Sequence, residues 1–139
     1  MRVVFDTNVI VDAIAARQPF GLEAEELLLM VSENKMEGFL TANSVTDIYY
    51  VIRRNLSEDK AREIIRYILY SLDIAVVSGE DCWDALNYPL KDFEDSLVAV
   101  CAEKIKADCI ISRDDAFLKA EIPVKVFSPA EFLASFGEK

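Results

Sequence analysis

Five short runs of β-branched and aromatic residues alternate with segments of helical spacing, and this alternation limits the fold more than any other feature of the chain. The runs are Arg2–Phe5, Gly38–Thr41, Asp73–Val77, Asp108–Ser112 and Val124–Phe127. Between them, helices are predicted from Asn8 to about Ala16 and from Leu22 to Ser32. Others are expected from Ser44 to about Arg54, from a Ser57 cap to Tyr70, from Glu80 to Tyr88 before Pro89, and from Asp92 to about Lys106. A short helix is expected to begin at Arg113-Asp114-Asp115. Ser128-Pro129 opens the last helix with proline at its first position. Strands that alternate with helices imply a parallel sheet covered on both faces. The expectation is therefore an α/β fold, a three-layer α/β/α sandwich with a central parallel sheet. The 139 residues carry no repeat or linker and are read as a single domain, 1–139.

The chain contains no histidine. This removes Ser-His-Asp and Cys-His nucleophile chemistry and zinc sites built on imidazole. Cys82, Cys101 and Cys109 form no C-x-x-C pair and are odd in number, so they read as reduced thiols rather than a disulfide framework. Any enzyme here has to work with carboxylates, lysine, tyrosine, serine or a metal held by oxygen. No apolar run is long enough to span a membrane, and the run before Asp6 is too short for a signal peptide, so a cytoplasmic location is expected. The net charge of −10 does not favour phosphate backbones, so a nucleic-acid enzyme of this composition needs cations at its site or a local basic strip.

The acids fall at informative places. Asp6 ends the first strand. Asp47 is expected in the first turn of the helix after the second strand, and Asp92 and Asp95 in the first turn of the helix leading to DCIIS. Asp114 follows that strand. In a parallel sheet the strand C-termini and the N-termini of the crossover helices share one edge, where open α/β sheets bind ligands. Each acid also has a capping explanation: Asp6, Asp92 and Asp114 as N-caps, and Ser44-Val45-Thr46-Asp47 as a variant capping box. Their convergence has a further consequence. Two carboxylates about 4 Å apart repel by roughly 4 kcal/mol at an effective dielectric of 20. Either some stay protonated or a hard divalent cation sits among them.

The motifs have a recognisable counterpart. The opening VVFDTNVIVDAI and the later stretch KDFEDSLVAVCAEKIKADCIISRDDAF resemble the PIN domain, particularly toxin-like members related to VapC. The resemblance covers essentially the whole chain. It implies a Mg²⁺- or Mn²⁺-dependent ribonuclease with Asp6, Asp47, Asp95 and Asp114 as catalytic acids, of which Asp6, Asp95 and Asp114 would hold metal. Asn8, Asp92, Ser112 and Arg113 would be auxiliary, with Thr7 another group able to orient water or phosphate. Arg113 and Arg54 are candidates to hold substrate, and Arg113 could instead pair with a neighbouring acid. The resemblance also implies RNA as substrate, a cognate antitoxin, and a homodimer. Two departures stand out. The second acid is Asp47 where the family usually has Glu, and Ala116 precedes Phe117 where many relatives have a second Asp.

The segment Ser57–Tyr70 reads first as an amphipathic helix on its own core and second as a dimer or antitoxin contact. Tyr49, Tyr50, Tyr67 and Trp83 read first as packing residues and second as base-stacking ones. Haloacid-dehalogenase phosphatases and response-regulator receivers also gather acids at this edge. The former want D-x-D, where this chain has Asn8; the latter want a paired early acid motif and a late lysine. A PIN-like module that binds RNA or protein without cleaving is the non-enzymatic alternative.

Overall fold

The computed structural model describes residues 1–137. Among the described residues five parallel strands form one sheet: β1 (Arg2–Phe5), β2 (Glu37–Thr41), β3 (Asp73–Ala75), β4 (Cys109–Ile111) and β5 (Lys125–Phe127), in the order β3-β2-β1-β4-β5. The helices are α1 (Thr7–Ile14), α2 (Gly21–Ser32), α3 (Ala42–Asn55), α4 (Glu58–Ser71), α5 (Gly79–Leu86), α6 (Phe93–Lys104), α7 (Asp115–Leu118) and α8 (Pro129–Phe136).

Side chains on a strand alternate between faces, and the central strands use both. Val3 and Phe5 of β1, with Cys109 and Ile111 of β4, pack into one core with α1, α2, α3, α4 and α8. Val4 and Ile110 point the other way, onto Val98, Ala99 and Ala102 of α6 and Phe117 of α7. A third, smaller cluster joins Ala85 of α5 to Leu97 and Val100 of α6. This is the expected α/β/α sandwich. Gly38 of β2 has a packing reason: a Cβ there would lie 2.7–2.9 Å from the side chains of Leu72, Phe5 and Val31. Burial pushes the Cys101 thiol up to about 11 and the Cys109 thiol up to about 12, as expected of structural cysteines.

Two of the boundaries that differ from the sequence reading bear on the site. β3 stops at Ala75, and Val76 is exposed, because β3 is an edge strand whose pairing partner β2 ends at Thr41. α3 begins at Ala42, two residues before the expected Ser44, which places Asp47 in the second turn rather than the first. The proposed capping box fails for the same reason. Thr41 is the N-cap without a side-chain cap bond, and its hydroxyl is spent on the buried Ser44 Oγ at 2.9 Å, which also accepts from Thr7 Oγ1 at 2.9 Å.

Candidate active site

The strand order reverses direction between β1 and β4, which are hydrogen-bonded neighbours with Val4 beside Ile110 and Phe5 beside Ile111. The Asp6 amide continues that ladder by donating to the Ile111 carbonyl at 2.9 Å. Asp6 thus leaves β1 next to Ser112, which leaves β4, and the Ser112 hydroxyl donates to Asp6 Oδ2 at 2.7 Å. Asn8 Nδ2 donates to the same oxygen at 3.3 Å, and the Thr7 amide donates to Oδ1 at 2.9 Å. The Asp114 amide closes the loop on Ser112 Oγ at 3.1 Å.

Capping and clustering turn out to be compatible, because a carboxylate has two oxygens and a cap takes one. Asp6 caps α1, Asp92 caps α6 by accepting from the Asp95 amide through Oδ1, and Asp114 caps α7 by accepting from the Ala116 amide through Oδ1. Asp92, Asp95 and Asp114 line one cleft of about 460 Å³ with Leu90 and Phe117. Asp6, only 6 % exposed, stands beside it.

The electrostatics show how closely these acids neighbour one another. Burial pushes the Asp6 carboxyl above the ordinary 3.8; the bonds from Ser112 and Thr7 oppose this, and the charges of Asp114 and Asp92 reinforce it. Asp95 is pushed up to about 7, first by burial, then by Asp6, Asp92 and Asp114, and last by a hydrogen bond to Asp114. Glu94 is also pushed up to about 7, first by a hydrogen bond to Asp47, then by burial and by the charges of Asp47, Asp6 and Asp92. Glu94 and Asp95 therefore hold their protons to higher pH than isolated carboxyls do.

The structure places Asp6, Asp92, Asp95 and Asp114 at one sheet edge. Asp47 reaches the cluster through Glu94, a residue the sequence reading passed over. Its signal was the DFED run itself: Glu94 follows the cap by two residues, in a first turn that favours acids. Asn43, one turn before Asp47 on the same face of α3, has a buried Oδ1 without a partner among the described residues. Arg113 sits beside the cluster but turns its side chain to α1. Its guanidinium bonds to Asp12 and stacks 4.7 Å from the Phe20 ring centroid, so it is held by an ion pair and is not free for substrate.

The donor set fits a hard divalent cation: carboxylate oxygens and an unpaired amide oxygen at the same edge. Among the described residues no three acids form a ready-made coordination shell around one point.

Comparisons place this geometry. No curated protein matches the chain. Several solved structures share its fold. VapBC2 from Rickettsia felis, bound to a promoter DNA fragment, is 15 % identical over 92 % of this chain and 98 % of that one, with a TM-score of 0.70. DNA-bound VapBC from Salmonella typhimurium is 11 % identical over 93 % and 98 %, with a TM-score of 0.69. VapC20 from Mycobacterium tuberculosis, described as a sarcin-ricin loop cleaving toxin, is 11 % identical over 83 % and 92 %, with a TM-score of 0.67. At these identities the likeness is one of fold. A PIN-domain family model matches residues 2–116, a stretch that contains Asp6, Asp47, Asp92, Glu94, Asp95 and Asp114. The chain belongs to the PIN-domain family.

Proposed function

We propose that the chain, as one PIN-like domain spanning residues 1–139, is a Mg²⁺- or Mn²⁺-dependent endoribonuclease, the toxin of a VapBC-type pair. The observation that carries this reading is the convergence of acids at one sheet edge: Asp92, Asp95 and Asp114 line a single cleft, and burial together with mutual repulsion pushes Asp95 up to about 7. A hard cation relieves that repulsion, and carboxylate oxygens are the donors it takes. Mg²⁺ keeps several waters and binds through one or two carboxylates, so a closed three-acid shell is not required. Once bound, the ion supplies a clamp on the scissile phosphate, an acidified water and charge stabilisation at the leaving oxygen.

The roles of the chain follow from its contacts. Asp6, Asp95 and Asp114 would hold the ion, directly or through water. Ser112 and Asn8 fix the orientation of Asp6. Asp92 fixes the first turn of α6 and so the place of Asp95. Glu94 meets Asp47 and is pushed up to about 7 by that contact and by burial. With Arg113 engaged by Asp12, Arg54 is the better candidate to hold the RNA backbone. It lies two turns beyond Asp47 on the same face of α3, with the half-exposed Tyr50 between them.

A partner surface supports the toxin reading. α4 buries only Ala61 and Ile68 and leaves Tyr67, Leu69 and Tyr70 exposed, so its apolar content exceeds what its own core uses. A cleft of about 440 Å³ lies between α1 and α3, lined by Val11, Ile14, Ile52 and Leu56 with Arg17 and Asn55. An antitoxin helix or a second copy of the chain fits such surfaces. A solved structure of similar fold from Klebsiella pneumoniae is a toxin–antitoxin complex, and the partner is carried over from it as part of the proposal.

The test is cleavage of RNA with Mn²⁺ by wild type and by Asp6→Asn. Loss of cleavage in the variant is expected, and cleavage that survives it removes the mechanism. The net charge of −10 and Asp47 in place of glutamate favour one second reading, a PIN-like module that binds RNA or protein without cleaving. Absence of cleavage by wild type, with RNA still bound, would select it.

A further inference from the structure

An ion pair beside the carboxylate cluster has no role in the chemistry above. Asp12 lies in α1, is 1 % exposed, and accepts from Arg113 Nε at 2.5 Å and Nη2 at 3.2 Å. Taking a carboxylate out of water inside a helix is expensive, and a buried ion pair is weak evidence of a stability role. What the pair does is better read from the chain on either side of Arg113. Ser112 precedes it and donates to Asp6 Oδ2. Asp114 follows it, with its amide on Ser112 Oγ. The Arg113 amide itself points at Asn8 Oδ1, 3.4 Å away, and Asn8 Nδ2 donates to Asp6.

The guanidinium is fixed from a second side. Phe20, at the start of α2, lies 4.7 Å from it, a cation–π distance. The connection that carries Phe20 is packed tightly back onto α1. The Arg17 amide donates to the Asp12 carbonyl at 3.0 Å, and a Cβ on Gly21 would lie 2.8 Å from the Ala16 carbonyl carbon. One bidentate, planar contact therefore ties the loop after β4 to the helix after β1. These are the two segments that carry Asp114 and Asp6.

We propose that Asp12 and Arg113 are positioning residues that set the separation of Asp6 and Asp114, and with it the affinity of the carboxylate cluster for a divalent ion. The proposal rests on the metal-dependent reading above. Arginine is required for its planar fork, which lysine lacks. Groups that orient metal ligands from behind change metal affinity by about 10–100-fold when removed.

The experiment is a Mn²⁺ titration followed by the paramagnetic resonance of the free ion, on protein shown to be folded by circular dichroism. Wild type, Asp12→Asn, Arg113→Lys, the double variant and Ile68→Val are compared, the last a core change in α4 remote from the site. Each single change at the pair is expected to weaken Mn²⁺ binding by about tenfold or more. The double variant is expected to be no weaker than the worse single one, because the two residues act as a unit. Ile68→Val is expected to bind as wild type does, which separates positioning from stability. Wild-type affinity in Asp12→Asn or Arg113→Lys overturns the clamp and leaves the metal reading standing. Wild type that binds no Mn²⁺ overturns both. Should Asp12→Asn fail to fold, Arg113→Lys with Phe20→Leu carries the same comparison, and affinity unchanged in that pair is equally decisive.

Discussion

Replacing Asp95 by asparagine is expected to make the metal-free protein more stable at alkaline pH. Asp95 is 8 % exposed and its carboxyl is pushed from the ordinary 3.8 up to about 7, chiefly by burial and then by Asp6, Asp92 and Asp114. A raised folded-state pKa means that the native chain holds a proton which the unfolded chain releases. The stability tied to this group is therefore present below about pH 4 and is lost as pH rises to about 7. The rise from 3.8 to about 7 is worth about 4 kcal/mol at most, at about 1.4 kcal/mol per pH unit. Asparagine keeps the shape and loses the charge, but it still buries a polar amide, so a net gain of about 2 kcal/mol is expected at pH 8. For a chain of 139 residues that is a rise in Tm of roughly 6–10 °C. The assay is thermal unfolding in EDTA at pH 8 and pH 4, with wild type and Asp95→Asn side by side. At pH 4 wild-type Asp95 is already protonated and the difference is expected to disappear. An equal gain at both pH values, or a loss at pH 8, would refute the claim that repulsion and burial of a charge dominate this pocket.

Two other outcomes follow from the same structure. Mn²⁺ is expected to raise the Tm of wild type, by about 2.7 kcal/mol of added stability at 100 times its Kd. The shift is expected to be larger at pH 8 than at pH 5.5, because the ion competes with the protons on Glu94 and Asp95; calorimetry at fixed metal concentration checks it. Gly38→Ala is expected to destabilise by about 1–3 kcal/mol, since its methyl group meets the Leu72, Phe5 and Val31 side chains; urea unfolding measures it.

What could be read along the chain was whatever depends on neighbours in sequence. The strand runs at Arg2–Phe5 and Cys109–Ile111 show themselves because strands buried on both faces need apolar side chains at every position. Asp92 and Ser57 declare themselves as caps because capping acts over three residues. The common edge of Asp6, Asp95 and Asp114 follows from the rule that crossover helices start where strands end.

Contacts between distant segments decided the rest. Asp47 moved one turn deeper because Ser44 bonds to Thr41 and to Thr7, thirty-seven residues before it, which no local capping rule anticipates. Glu94 became part of the site only when the folded sheet brought the first turn of α6 to the same edge as Asp47 of α3, its partner. Arg113 reads from the sequence as a possible phosphate ligand, yet it meets Asp12, 101 positions away. Charge type and helix register are properties of the chain, but which acid a given base meets, and which carboxyls hold their protons to higher pH, depend on distances of a few ångströms that only the folded packing of β1, β4, α1, α3 and α6 establishes.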